Sequence, residues 1–159
     1  MTTIYRHQKK SKMNKVVSSR GEWQFACGNQ PLSLAINNKE MPLTEQELHN
    51  LAMNIVGEAL QELGWEFLLV NSDRKKNPQF VCIDPQGKKS FIIVRPILQG
   101  DDPDVYDPAF MEKVRQKAQE HQADTYWAGV GLYDVANPLA PLEQGKSYQV
   151  DFRGLLKIE

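Results

Sequence analysis

Four carboxylates stand where hydrolytic chemistry would want them. Glu58 lies late in an apolar-periodic segment, Glu66 opens the next segment, and Asp73 and Asp84 occupy the two polar turns that follow. Carboxylate oxygens are what a hard divalent cation requires, and such a cation can activate water for a hydrolytic attack. Glu58 with Asp73, Asp84 or Glu66 is therefore one candidate set, provided that at least two oxygens converge within roughly 5 Å of one point. A second acidic run, Asp101, Asp102, Asp104 and Asp107, invites a calcium reading. It lacks the EF-hand spacing, the central glycine and the closing glutamate, and reads better as a solvated loop that ends in a helix cap.

Other chemistries find less. His7, His49 and His121 are far apart in sequence, form no HExxH pattern, and read by default as surface side chains. Cys27 and Cys82 are the only cysteines, without a CxxC, which argues against a disulfide framework, a zinc site or an iron–sulfur cluster. There is no GxSxG elbow, no Walker loop and no GxGxxG, and no cofactor is expected. Lys75 with Lys76 and Lys88 with Lys89 fall in two successive turns, where they could line one edge and contact phosphates, or simply keep strand ends soluble. Tyr126, Trp127 and Tyr133, set beside Gly129 and Gly131, make the first place to look for a partner groove.

A length of 159 residues, 41% of them hydrophobic and 25% charged, suits one globular domain with a real core. The net charge of −1 conceals an asymmetry. Residues 1–20 carry six basic residues and no acid, whereas residues 41–159 carry 12 basic against 18 acidic, a net of −6. The basic start suits a nucleic-acid arm, an organellar transit peptide or a flexible extension, while the acidic remainder repels a polyanion. No apolar run reaches the length of a membrane span, so a cytoplasmic protein is expected.

The elements that must position these groups begin at Met41, with residues 1–40 read as a basic, mostly flexible extension. "GEWQFACGNQPLSLAINN" within it offers at most one short strand. "LTEQEL" is a helix entrance: Thr44 caps, Glu47 reaches back, and Leu43 and Leu48 staple. The stripe Leu48, Leu51, Ala52, Ile55, Ala59, Leu60 and Leu63 carries the helix to Gly64. Gly57 inside it implies close packing against another element. Three strands follow, over 65–71, 79–84 and 90–98, most simply an antiparallel meander whose third member is buried on both faces. Asp107 before Pro108 starts a second helix to His121, with Phe110, Met111, Val114 and Ala118 inward. Residues 125–135 read as a strand with glycines where something approaches closely. "SYQVDFRGLLKIE" reads as one more strand, bent at Gly154. The expected fold is an α/β (α+β) domain over 41–159, in the order α-β-β-β-α-β-β, with a mixed sheet flanked by two helices.

That order resembles the restriction-endonuclease-like core, the PD-(D/E)xK superfamily, over about residues 44–135. "GEALQELGW" with Asn71, then "NPQFVCI", then "FIIVR" fall where small nuclease-like proteins read GE…L…G(Y/W)…N, GEIDLI and FVEVK. The resemblance implies a magnesium site made by an aspartate on the second strand and an acid on the third, with a lysine assisting the attacking water. Here the aspartate position falls on Gln79 or Phe80, the acid on Ile93 and the lysine on Arg95; only Glu58 is retained. Arginine, charged at any accessible pH, is no neutral base. Pairing of Arg95 with Glu58, guanidinium in place of metal, is the expected replacement. The chain is also similar to short uncharacterised proteins sometimes labelled as a component of the sodium-translocating NADH:quinone reductase. Its residues lack the cluster ligands, the nucleotide motifs and the membrane span which that label implies.

The reading reached from sequence is a non-catalytic interaction or assembly module on an inactivated endonuclease-like core, with a protein partner or a second copy of itself. The alternatives are a metal-dependent nucleic-acid hydrolase with relocated carboxylates, or a nucleic-acid binder using the basic tail.

Overall fold

The computed structural model describes residues 41–159 and, within residues 1–40, the backbone of two short segments, β1 (Ile4–Tyr5) and β2 (Val17–Ser18). The segment 21–38, in which the sequence offers a short strand, lies outside the described residues, as do His7 and Cys27.

Helix α1 spans Glu45–Glu62 and starts as its sequence dictates. The Glu47 amide donates to Thr44 Oγ1 at 3.2 Å, and the Thr44 amide donates to Glu47 Oε2 at 2.7 Å, closing a reciprocal capping box. Gly64, with φ 76°, ends it. The buried face differs from the expected stripe. His49, Met53 and Val56 join Leu48, Leu51, Ala52 and Leu60 inside, while Ile55 and Ala59 are half-buried. The helix is rolled so that Gly57 meets β4 (Phe80–Ile83): a Cβ there would sit 3.6 Å from the Phe80 ring.

Strands β3 (Glu66–Val70), β4 and β5 (Lys89–Ile97) form the expected antiparallel meander. Helix α2 (Pro108–Glu120) is capped by Asp107, whose Oδ1 accepts the amides of Ala109 and Phe110. It carries the chain across to β6 (Asp124–Asp134), which pairs with β5 in parallel from Ser90↔Asp124 to Ile97↔Gly131. A parallel neighbour needs such a crossover, and the helix lands on the face opposite α1.

The alternation along β5 divides the interior. Ile92 and Val94 join α1 in the larger core, whereas Phe91 and Ile93 face α2, with Ala118 and with Met111 and Val114 respectively. Burial on both faces gives β5 its nearly unbroken apolar run, each large side chain contributing about 1.5–3 kcal/mol.

The C-terminal stretch forms two strands where the sequence suggests one bent strand. β7 (Ser147–Phe152) and β8 (Leu155–Ile158) both run antiparallel to β6, end to end. Between their ladders Ala128 and Gly129 of β6 face three residues, Arg153, Gly154 and Leu155. That is a β-bulge, and Gly154 accommodates it at φ 102°. β1 adds to β8 and β2 to β7. The result is a mixed α+β fold: six strands from the 41–159 domain plus the two short ones, with one helix on each face.

Candidate functional site

The corner of the sheet beyond the start of β4 holds three of the four positions that matter most. The β4–β5 ladder ends at Phe80↔Ile92, so the Val94 amide lies a step past its last partner. Gln79, fully buried, supplies the missing acceptor: its Oε1 takes the Val94 N–H at 3.0 Å. Its Nε2 donates to the Lys76 carbonyl at 2.8 Å and to Asn77 Oδ1 at 3.0 Å. The same Asn77 oxygen accepts Arg95 Nη2 at 2.8 Å, and Arg95 Nη1 donates to the Val94 carbonyl at 2.8 Å. The guanidinium lies 5.4 Å from the centroid of the Phe110 ring of α2, a cation–π distance. Burial draws the pKa of Arg95 down.

Ile93 is fully buried beneath α2 with Met111, Val114 and Trp127. Glu58 is elsewhere. It is exposed on α1, the helix packed on the opposite face of the sheet, where it adds to the effect of burial in pushing the Tyr148 hydroxyl up to about 12. The expected Glu58–Arg95 pair is thus replaced by Asn77–Arg95, because the sheet stands between the helix glutamate and the strand arginine. Of the other carboxylates considered as ligands, Glu66 is the ladder partner of Ile83, next to Asp84, and Asp73 lies apart from both. Asp73 and Asp84 occupy turns at opposite ends of β4, a four-residue strand spanning about 13 Å at 3.3 Å per residue. Each is engaged locally: Asp73 Oδ1 accepts the Lys75 amide, and Asp84 Oδ1 accepts the amides of Gln86 and Lys88. Among the described residues, no group of three or more His, Cys, Asp or Glu is placed to hold a metal ion.

The candidate binding surface changes most. Tyr126 and Trp127 are 1% and 5% exposed and belong to the interior. Tyr126 packs edge-on against Trp65 at 5.4 Å, and Trp127 Nε1 donates to the Pro103 carbonyl at 2.9 Å. Gly129 is glycine for that same approach, since a Cβ there would lie 1.8 Å from the Pro103 oxygen. The close neighbour expected at this glycine is the chain's own loop. Lys75 and Lys76 lie at one end of β4 and Lys88 and Lys89 at the other, because successive hairpin turns alternate ends, so the four do not line one edge.

Tyr133 alone of the three aromatics borders open space, a cleft of about 290 Å³ at the C-terminal end of β5 and β6, with Ile97, Asp101, Asp151 and Arg153 also on its wall. Arg153 binds Asp102 at 2.9 Å, Asp104 at 3.5 Å and Asp151 at 3.1 Å. The hydrogen bonds that Arg153 donates to Asp151, then the nearby carboxylates, raise its pKa. The acidic loop is thereby tied to β7, and Asp107 is taken up by its cap.

Sequence reasoning missed Asn77, His49 and Arg153. His49 is 1% exposed, against its expected place on the surface, and its Nε2 has no hydrogen-bond partner. Its one sequence signal is its place beside Leu48 on the inward arc of α1.

Among the described residues no helix is long and apolar enough to cross a membrane. No curated protein and no solved structure matches the chain. A family model described as a domain of unknown function, DUF8840, matches residues 46–158, from the first turn of α1 to the end of β8, and the chain belongs to that family.

Proposed function

We propose that this domain is a non-catalytic assembly module built on a degenerate restriction-endonuclease-like core. The observation that carries the reading is the closed state of the corner formed by Gln79, Ile93 and Arg95. A side-chain amide, an asparagine and a guanidinium satisfy one another where the resemblance would set a metal, and the third-strand acid position is an isoleucine sealed under α2. Hydrolysis through a hard cation needs converging carboxylates and a neutral base, and these residue types provide neither. A fold of this kind with its apolar framework intact and its acids replaced can hold surfaces in place without cutting.

The direct test is incubation of the full chain with supercoiled and single-stranded DNA and with RNA, in magnesium and in manganese. The expected outcome is no cleavage above a heat-treated control. Magnesium-dependent cleavage that Glu58→Ala abolishes would overturn the reading in favour of a hydrolase with relocated ligands. Salt-sensitive binding lost on deletion of residues 1–20 would instead assign the activity to the basic tail.

A further inference from the structure

The two faces of the sheet are covered unequally. On one, α1 packs on Phe80 and Cys82 of β4 and on Phe67 of β3, all within the larger core. On the other, α2 lies over Ile93 of β5 and Trp127 of β6, and the row of β4 and β3 on that side is covered less. Leu69 pairs with Val81 and Glu66 with Ile83, so these four side chains share the α2 face. Val81 packs at the margin of α2 against Phe91, Ala118 and Ala123. Ile83 and Leu69 join none of the apolar clusters of the described residues, and Leu69 is 50% exposed. A sheet face with an apolar row normally buries it against a second layer, and here that layer stops halfway.

Two contacts with β5 fix which flank of α2 borders this strip. Arg95 lies over the Phe110 ring, and His121 stacks near Phe91 with 5.7 Å between ring centroids. At 3.6 residues per turn Lys113 and Lys117 fall on the same flank between Phe110 and His121, and both are exposed. Lys89 and Arg95 stand at the two ends of the strip, because alternate residues of β5 face α2. Among the described residues none of these four cations is in an ion pair. Glu66 and Glu120 oppose them. Cations thus outnumber acids along an apolar strip, on a domain whose residues 41–159 carry a net of −6.

We propose that this strip is a docking groove for an acidic amphipathic helix of a partner protein, laid beside α2 across β4 and β3. Its apolar stripe covers Leu69, Val81 and Ile83, its carboxylates meet Arg95, Lys113 and Lys117, and it completes the layer that α2 begins. From Lys89 to Arg95 the strand advances about 20 Å at 3.3 Å per residue, the length of a helix of about 14 residues. An aliphatic floor suits a peptide better than a phosphodiester chain, and the net charge of the domain opposes a long polyanion. The proposal deepens the assembly reading above, on which it rests, by giving the chemistry of the partner.

Titration of the isotope-labelled full chain with a synthetic helical peptide of about 14 residues, leucine on one stripe and glutamate on the rest, tests it by NMR. Saturable shifts are expected at the amides of Leu69, Val81, Ile83 and Lys117, with a dissociation constant below about 1 mM. Lys113→Glu with Lys117→Glu, at exposed sites, should weaken binding by about tenfold, and a peptide with lysine in place of glutamate should prefer this double variant to the wild type. Leu69→Glu should weaken binding with unchanged circular dichroism. Absence of saturable shifts below about 1 mM overturns the proposal, including the case in which another segment of the chain fills the groove. So does binding that both variants leave intact, or a single-stranded oligonucleotide that shifts the same amides at lower concentration than the peptide. Loss of the groove leaves the non-catalytic reading standing, whereas metal-dependent cleavage removes that reading and leaves peptide binding in place.

Discussion

Gln79 completes the hydrogen bonding of Val94: its side-chain oxygen lies 3.0 Å from an amide that the β4–β5 ladder has left behind. A side chain here substitutes for a strand residue, and both partners are fully buried. Gln79→Ala should cost about 1–3 kcal/mol, the penalty for an orphaned buried N–H, as read from the midpoint of urea unfolding. Gln79→Leu, which restores volume without the acceptor, should recover little of it.

Rebuilding the nuclease-like acid should fail for a structural reason. Ile93→Glu places a carboxylate among Met111, Val114 and Trp127, in an apolar cluster. The expected loss at neutral pH is about 3 kcal/mol or more. Burial raises the folded-state pKa of such a group above its unfolded value of about 4.3, so the penalty grows as pH rises and is smallest below about pH 4. Chemical denaturation at pH 4 and pH 7 should therefore show the variant closer to wild type at the lower pH.

His49 makes stability depend on pH in the opposite sense. Burial, and then the positive fields of Arg95 and Arg74, hold its pKa below the ordinary histidine range, with Asp73 opposing them. The unfolded chain takes up the proton first as pH falls. The contribution is complete above the unfolded pKa of about 6.5 and is lost as pH drops below it, at up to about 1.4 kcal/mol per unit, until the folded pKa is reached. Between pH 7 and 5.5 the wild type should lose up to about 1 kcal/mol more than His49→Phe in paired urea titrations.

Gly129→Ala tests the packing of the Pro103 loop. The added Cβ meets a backbone carbonyl that Trp127 Nε1 also requires, and a carbonyl in that position cannot swing aside as a side chain would. A loss of about 1–3 kcal/mol is expected, with a shift of tryptophan fluorescence as the indole hydrogen bond is disturbed. Gly129 lies outside the positive-φ region, so the loss reports the clash itself and not a strained backbone.

The local signals in the sequence carry far. Thr44 with Glu47, and Asp107 with Pro108, define both helix starts because capping depends on residues within one turn. The apolar run of β5 marks it as interior, since only a strand covered on both faces tolerates one. Other features depend on distant partners. Asn77 reaches Arg95 from 18 positions away, and Arg153 reaches Asp102 from 51, spacings that no pattern along the chain announces. Tyr126 and Trp127 read as surface aromatics because glycines follow them; Gly129 instead admits the chain's own backbone. β3 is as apolar as an interior strand, and only the pairing order reveals it as an edge.

The uninterrupted parallel ladder of β5 and β6 has a kinetic meaning. Its amides, with neighbours on both sides and helices above and below, exchange hydrogen with solvent only when the whole domain opens. Deuterium uptake at Phe91 or Ile93, whose amides alternate toward β6, would accordingly report the global free energy of unfolding, while β3 would exchange through local fraying.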